Sequence, residues 1–352
     1  MKITLNGKII EAKQGQTIFQ AARDNGIYIP TLCYHEKTGP AGKCRACVVE
    51  VEGMRGLQTS CSVLAKDGMV VTSNSENVLD AQRLVVDLLL STGRHNCLSC
   101  EKNGNCDLQK AAYYLGIEVG SFQYADMKPD IDDSSEFIQI DRSKCISCGR
   151  CIAACNNVVV NNVLNFGYRG HETQIVFDTN LPMGGSSCVQ CGECSQLCPV
   201  GAIIDKRAVG KGREWEFDKV ETICPYCGVG CNLELNVDRK TNSIVKIRGV
   251  EDAPTNEGML CVKGRYGFDF VGSDERLTTP LIKDADGEFR EASWEEATDL
   301  IVEKLSFIRD TYGPDTIMGL TSAKATNEEN YTFQKLIRTA LKTNNVDHCA
   351  RL

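Results

Sequence analysis

Two cysteine runs of identical spacing constrain this chain more than any other feature. Cys145, Cys148, Cys151 and Cys155 follow C-x2-C-x2-C-x3-C; Cys188, Cys191, Cys194 and Cys198 repeat it, followed by Pro199. Such spacing aims several sulfurs inward from neighbouring turns, which suits a shared metal cluster. The other cysteines are also grouped: Cys33, Cys44, Cys47 and Cys61; Cys97, Cys100 and Cys106; Cys224, Cys227, Cys231 and Cys261. Of 20 cysteines only Cys349 stands apart. Disulfide frameworks belong to short exported chains. This one has 352 residues and opens on the strand pattern Met1-Lys2-Ile3-Thr4-Leu5, with no signal-peptide core. A reduced, cytoplasmic iron–sulfur protein is expected. The net charge of −8 and the lack of a basic stripe speak against nucleic acid. The longest apolar run, Leu84 to Leu90, is broken by Asp87, so no membrane span is expected.

Read along the chain, the cysteine groups fall into modules, giving an α+β multidomain fold. Residues 1–76 carry an Asn6-Gly7 hairpin signal and a short helix from Thr17, a plausible N-cap, to Gly26. Small residues around Cys44 let a loop wrap closely there. With its C-x10-C-x2-C-x13-C spacing this module resembles the β-grasp [2Fe-2S] domain of complex I large subunits, iron-only hydrogenases and some formate dehydrogenases. That resemblance implies a [2Fe-2S] cluster on Cys33, Cys44, Cys47 and Cys61; a four-thiolate zinc site is the alternative. Residues 77–123 form the next module, and Ser73-x-x-Glu76 just before it announces a helix with Val78, Ala81, Val85 and Leu88 on an apolar face. His95, Cys97, Cys100 and Cys106 follow. They resemble the [4Fe-4S] site of the same families that is held by one histidine and three cysteines. There the histidine lies four residues before the first cysteine, where this chain has Gly93. His95 is the nearest candidate for the fourth ligand; a bystander His95 is the alternative.

The polar stretch Tyr124 to Ser135 reads as a linker. Residues 136–210, with the doubled run, resemble a bacterial-type two-cluster ferredoxin. In that arrangement the fourth cysteine of each run serves the other cluster. The resemblance implies Cys145, Cys148, Cys151 and Cys198 on one [4Fe-4S] cluster, and Cys188, Cys191, Cys194 and Cys155 on the other. Asn156 stands where the second run has Pro199. Gly210-Lys211-Gly212 reads as a hinge. Residues 217–275 then carry C-x2-C-x3-C-x29-C, formed by Cys224, Cys227, Cys231 and Cys261. This resembles the entry segment of molybdopterin oxidoreductases, particularly formate dehydrogenase catalytic subunits. It implies a further [4Fe-4S] cluster, with Lys263 as the relay between cluster and pterin; a surface lysine is the alternative. Residues 276–352 have the pattern of the beginning of that family's α/β catalytic domain. Asp286-Gly287 marks a hairpin. Ser293-x-x-Glu296 starts a helix bearing Trp294, Ala297, Ile301, Leu305 and Ile308, and Gly313-Pro314 breaks it. Thr316 to Leu320 reads as a strand, and Thr326-x-x-Glu329 starts another helix.

Together the resemblances imply one [2Fe-2S] and four [4Fe-4S] clusters, a conductor feeding or draining two-electron chemistry. For the whole protein they imply a molybdenum or tungsten ion held by two molybdopterin guanine dinucleotides, oxidising formate to carbon dioxide or running in reverse. No Gly-x-Gly-x-x-Gly after a strand and no phosphate-binding lysine loop is visible. A nicotinamide or flavin is therefore expected on a partner subunit; ferredoxin or a hydrogenase subunit are the other acceptors left open. Two further readings compete. One is a stand-alone electron carrier. The other is a complex I or hydrogenase subunit, which the C-x2-C-x3-C-x29-C motif and the doubled run make weaker. Finally, Thr343 to Leu352 resembles the run before the metal-ligating selenocysteine of formate dehydrogenases. The expectation is a piece of a longer enzyme, read up to a UGA codon, lacking the metal ligand and inactive on formate alone.

Overall fold

The computed structural model describes residues 1–122 and 130–349. The chain divides into two compact units, Met1–Asp218 with Asp238–Thr241, and Lys219–Val237 with Asn242–Leu352. In the first unit β1 (Lys2–Leu5) and β2 (Lys8–Glu11) form the expected hairpin. Asn6 and Gly7 both take positive φ, 51° and 76°, as a two-residue turn matched to strand twist requires. Helix α1 (Ile18–Asp24) starts on a reciprocal cap in which Gln20 N donates to Thr17 Oγ1 and Thr17 N donates to Gln20 Oε1. Strands β3 (Val48–Val51), β4 (Gln58–Thr59) and β5 (Val70–Thr72) complete a sheet of order β2-β1-β5-β3-β4. Its core gathers Leu5, Ile18, Val49 and Val71 together with Cys47 and Cys61.

Helix α2 (Glu76–Ser91) is capped by Ser75, not by Ser73. Ser73 is held instead by the hairpin: its N–H donates to Asn6 Oδ1 and its hydroxyl accepts from Asn6 Nδ2. The buried stripe is also rotated from the expected one. Val78, Gln82, Val86 and Asp87 are buried, Ala81 and Val85 half-buried and Leu88 exposed. Two polar side chains take core positions because each has a partner there. Gln82 Nε2 donates to Val48 O at 2.9 Å, and Asp87 accepts from Ser121 N. After the three-cysteine loop comes α3 (Asp107–Tyr114).

The expected linker is only partly one. Residues 124–129 of it lie outside the described residues, but Ile131–Asp132 forms β6. Asp132 is buried and accepts from Met183 N and Ser134 N. Strand β7 (Ile138–Asp141) leads to the first cysteine run, and α4 (Arg150–Ala153) passes into a π-helical turn that carries Cys155. A hairpin of β8 (Leu164–Gly167) and β9 (Gln174–Phe177) separates the runs. Helix α5 (Glu193–Leu197) and β10 (Ile203–Asp205) follow the second run, and β10 pairs antiparallel with β7.

The second unit begins in a sheet of β11 (Phe217–Ile223), β12 (Asn232–Asp238) and β13 (Ser243–Gly249). With α6 (Val262–Tyr266) it frames a core of Cys224, Leu233, Ile247 and Leu260. The hairpin β14 (Leu281–Lys283) and β15 (Phe289–Glu291) turns through Gly287. Helix α7 (Trp294–Tyr312) starts at Ser293 and ends at Gly313. The strand expected at Thr316 begins later, as β16 (Gly319–Thr321), because Pro314–Thr316 first makes a 3-10 turn. Helix α8 (Asn327–Thr339) carries the Thr326–Glu329 capping box, and β17 (Val346–His348) pairs parallel with β16. Ala350 to Leu352, part of the selenocysteine expectation, lie outside the described residues. Among the described residues no helix is long and apolar enough to cross a membrane.

Candidate metal centres

The first group is drawn together by two loops of the five-stranded sheet. Cys47 leads into β3, Cys61 follows β4, and their sulfurs are 3.3 Å apart. Cys33 is in hydrogen-bonding contact with both Cys44 and Cys61. The Cys44 and Cys61 contacts hold the Cys33 thiol below its ordinary range, while contact with Cys33 and burial push Cys44 up. Close sulfur pairs are what a two-iron cluster needs, since each iron takes two of the four thiolates.

Cys97, Cys100 and Cys106 share one loop between α2 and α3, close enough to affect one another's charge. Burial pushes the Cys106 thiol up to about 11. His95 sits nearby in sequence but its Nε2 lies 3.1 Å from Leu89 O, not on a sulfur of the three. Burial lowers its basicity and so favours the neutral ring that a metal ligand must be. A Cβ at Gly93 would meet Ser143 O at 2.7 Å and that ring at 3.0 Å, so position 93 is closed to a side chain.

The doubled run forms two matching turns. Ser147 and Gln190 both take φ of 51°, and their N–H groups donate to Cys145 Sγ and Cys188 Sγ at 3.4 Å each. Gly149 and Gly192 match too, at 82° and 77°, each opening a short helix. The fourth cysteine of each run lies near the other run: Cys198 acts electrostatically on Cys145, Cys148 and Cys151 and also on Cys194, and Cys155 on Cys188 and Cys194. Burial pushes Cys148 up to about 12 and Cys151 and Cys194 well above the ordinary thiol range.

In the second unit, Cys224, Cys227, Cys231 and Cys261 are mutually close. Cys224 N donates to Cys231 O, closing the C-x2-C-x3-C loop. Lys263 is on α6, with its ammonium 5.9 Å from the Tyr226 ring centroid. With Tyr226, Leu235, Ile247 and Phe268 it lines a cavity of about 270 Å³.

Among the described residues no disulfide forms and all 20 cysteines are free thiols. Most of the buried sulfurs, Cys106, Cys148, Cys151 and Cys194 among them, resist ionisation because burial and neighbouring sulfurs outweigh the few cations nearby. Iron supplies the balancing charge and displaces the protons, so the donor sets fit iron–sulfur clusters. Among the described residues no three His, Cys, Asp or Glu side chains are arranged to grip a single metal ion. Four side chains at these centres escaped the sequence reading: Lys37, Asp107, Arg150 and Glu193. The two Cys-Gly-x-Cys turns already carry the signal in sequence, with Arg150 and Glu193 at equivalent positions and of opposite charge.

Known families match the chain along nearly its whole length. Residues 1–76 match a 2Fe-2S iron–sulfur cluster binding domain, and 82–120 match the NADH-ubiquinone oxidoreductase-G iron–sulfur binding region. Residues 144–202 match a 4Fe-4S dicluster domain. Residues 217–273 match the molybdopterin oxidoreductase Fe4S4 domain, and 276–352 match molybdopterin oxidoreductase itself. "Probable oxidoreductase YjgC" of Bacillus subtilis (strain 168) is 36% identical over 99% of this chain and 39% of its own length. A "Putative formate dehydrogenase" of Staphylococcus aureus (strain Mu50) is 32% identical with the same coverage, 99% and 39%. The chain thus spans about two fifths of the length of these relatives. Among solved structures, a chain of an NAD+-reducing [NiFe]-hydrogenase in the H2-reduced state is 33% identical, with a TM-score of 0.56. The match covers 60% of this chain and 89% of that one.

Proposed function

We propose that the chain conducts electrons for a formate dehydrogenase-type enzyme of the molybdopterin oxidoreductase family, because its iron–sulfur domain matches run ahead of a molybdopterin oxidoreductase match. The observation that carries this reading is the succession of cysteine groups, ending in one matched to the molybdopterin oxidoreductase Fe4S4 domain. Bound clusters would supply the one-electron carriers: one [2Fe-2S] and four [4Fe-4S]. The ligands would be Cys33, Cys44, Cys47 and Cys61; His95, Cys97, Cys100 and Cys106; Cys145, Cys148, Cys151 and Cys198; Cys155, Cys188, Cys191 and Cys194; Cys224, Cys227, Cys231 and Cys261. The chain's own work is to bury the sulfurs and to donate N–H groups toward them, as Ser147 and Gln190 do. Lys263 would place a cation between the last centre and a molybdenum or tungsten pterin site in the whole protein.

Formate as substrate is supported by relatives named for that activity. A partner subunit that accepts or supplies electrons is supported by the hydrogenase likeness, since that protein is described as reducing NAD+. A reduced, cytoplasmic setting accords with the free thiols. The test uses the holoprotein, purified anaerobically from its own host through a tag before Met1. Formate should reduce the clusters, seen as electron paramagnetic resonance signals matching those that dithionite produces. Clusters that respond to dithionite and ignore formate would overturn the substrate and leave electron transfer standing.

A further inference from the structure

The two cysteine runs repeat one turn, Cys-Gly-x-Cys, with matching glycines at positive φ. The variable residue is Arg150 in the first turn and Glu193 in the second. Both side chains are buried, at 7% and 1% exposure, and each meets an opposite charge from a different upstream module. Arg150 NH1 lies 2.7 Å from Asp107 Oδ2, at the start of α3 behind the three-cysteine loop. Lys37 Nζ, between Cys33 and Cys44, lies 3.0 Å from Glu193 Oε1 and is itself only 12% exposed. A turn residue next to a buried cysteine is a costly place for a charge unless its partner is always present.

We infer that Arg150 and Glu193 are positioning residues, opposite charges at equivalent sites of the repeat, that fix which upstream module seats against which cluster turn. The Asp107 side could not seat on Glu193, nor Lys37 on Arg150, without burying like charges together. Neighbouring contacts seat the three-cysteine loop on the first turn, while Lys43 carries the other loop to Gly149 of that same turn as well. Asp107 N donates to Pro199 O, and a Cβ on Gly201 would come within 2.5 Å of Cys100 Sγ, so the three-cysteine loop lies hard against Cys198 and its flank. Lys43, in the other loop, lies over the Phe166 ring at 4.2 Å and steadies that loop against the β8–β9 hairpin.

Hydrogen exchange on the full chain, reconstituted anaerobically, tests the pairing. Lys37→Glu and Glu193→Lys should each speed exchange across residues 33–44 by about tenfold or more and leave α3 unchanged. Combining them should restore protection. Asp107→Arg and Arg150→Asp should do the converse, with α3 loosened and residues 33–44 unchanged. Lys37→Met covers the case in which reversal at Glu193 prevents folding; it must give the same local loosening. Unchanged exchange at residues 33–44, equal loosening of both modules, or a double variant that stays loose would each overturn the inference. Iron content of the same wild-type sample judges the cluster reading separately.

Discussion

At the scale of single residues, the chemistry turns on burial and close approach. His95 is half-buried, burial favours its neutral ring, and together with Ser143 O it fills the space that a side chain at Gly93 would need. Its Nε2 faces Leu89 O, which leaves Nδ1 as the nitrogen to meet an iron. If His95 serves as a ligand, His95→Ala should remove or convert one centre, visible as the loss of one paramagnetic signal with the rest intact. An unchanged spectrum would make the histidine a bystander. Gly201 allows a sharper test, because its missing Cβ is what lets Cys100 approach. Gly201→Ala should push the three-cysteine loop away and lower iron by about four per chain. Retention of full iron would show that the loop yields without cost.

The elements show where sequence patterns sufficed and where they failed. The Asn6-Gly7 hairpin and the Thr17, Ser293 and Thr326 caps form as expected, because each depends on atoms two or three residues apart. Helix α2 departs from expectation because its register answers to distant groups: Asn6 holds Ser73, and Val48 O draws in Gln82. Strand β6 escaped notice inside a polar stretch since its pairing partner, β7, is what makes it a strand. The two matching turns of the cysteine runs need no such distant information, since each is built from adjacent residues. Helix α7 raises a different matter. It has no buried residue, and Trp294, Ile301, Val302 and Phe307 are all more than half exposed. The core beneath it is small, with Ile317, Ile337 and Leu341 the buried members. Limited proteolysis of the isolated chain should therefore trim it from Leu352 back toward residue 275 and spare the cysteine-rich remainder. A resistant 352-residue product would contradict this.

For the whole molecule, the sequence made the cysteine groups legible, while the tethers between modules emerged only from the fold. Lys37 and Glu193 lie 156 residues apart, and no local pattern links them. Cysteine spacing survives any change of surroundings because it builds a local cage. A salt bridge across modules depends on how two separately folded surfaces meet. The proposed complement is five iron–sulfur clusters, one of two irons and four of four. Iron and acid-labile sulfide, measured after complete anaerobic reconstitution, test that most directly. About 18 irons per chain, with matching sulfide, is the expected result; saturation near four or eight irons would contradict it.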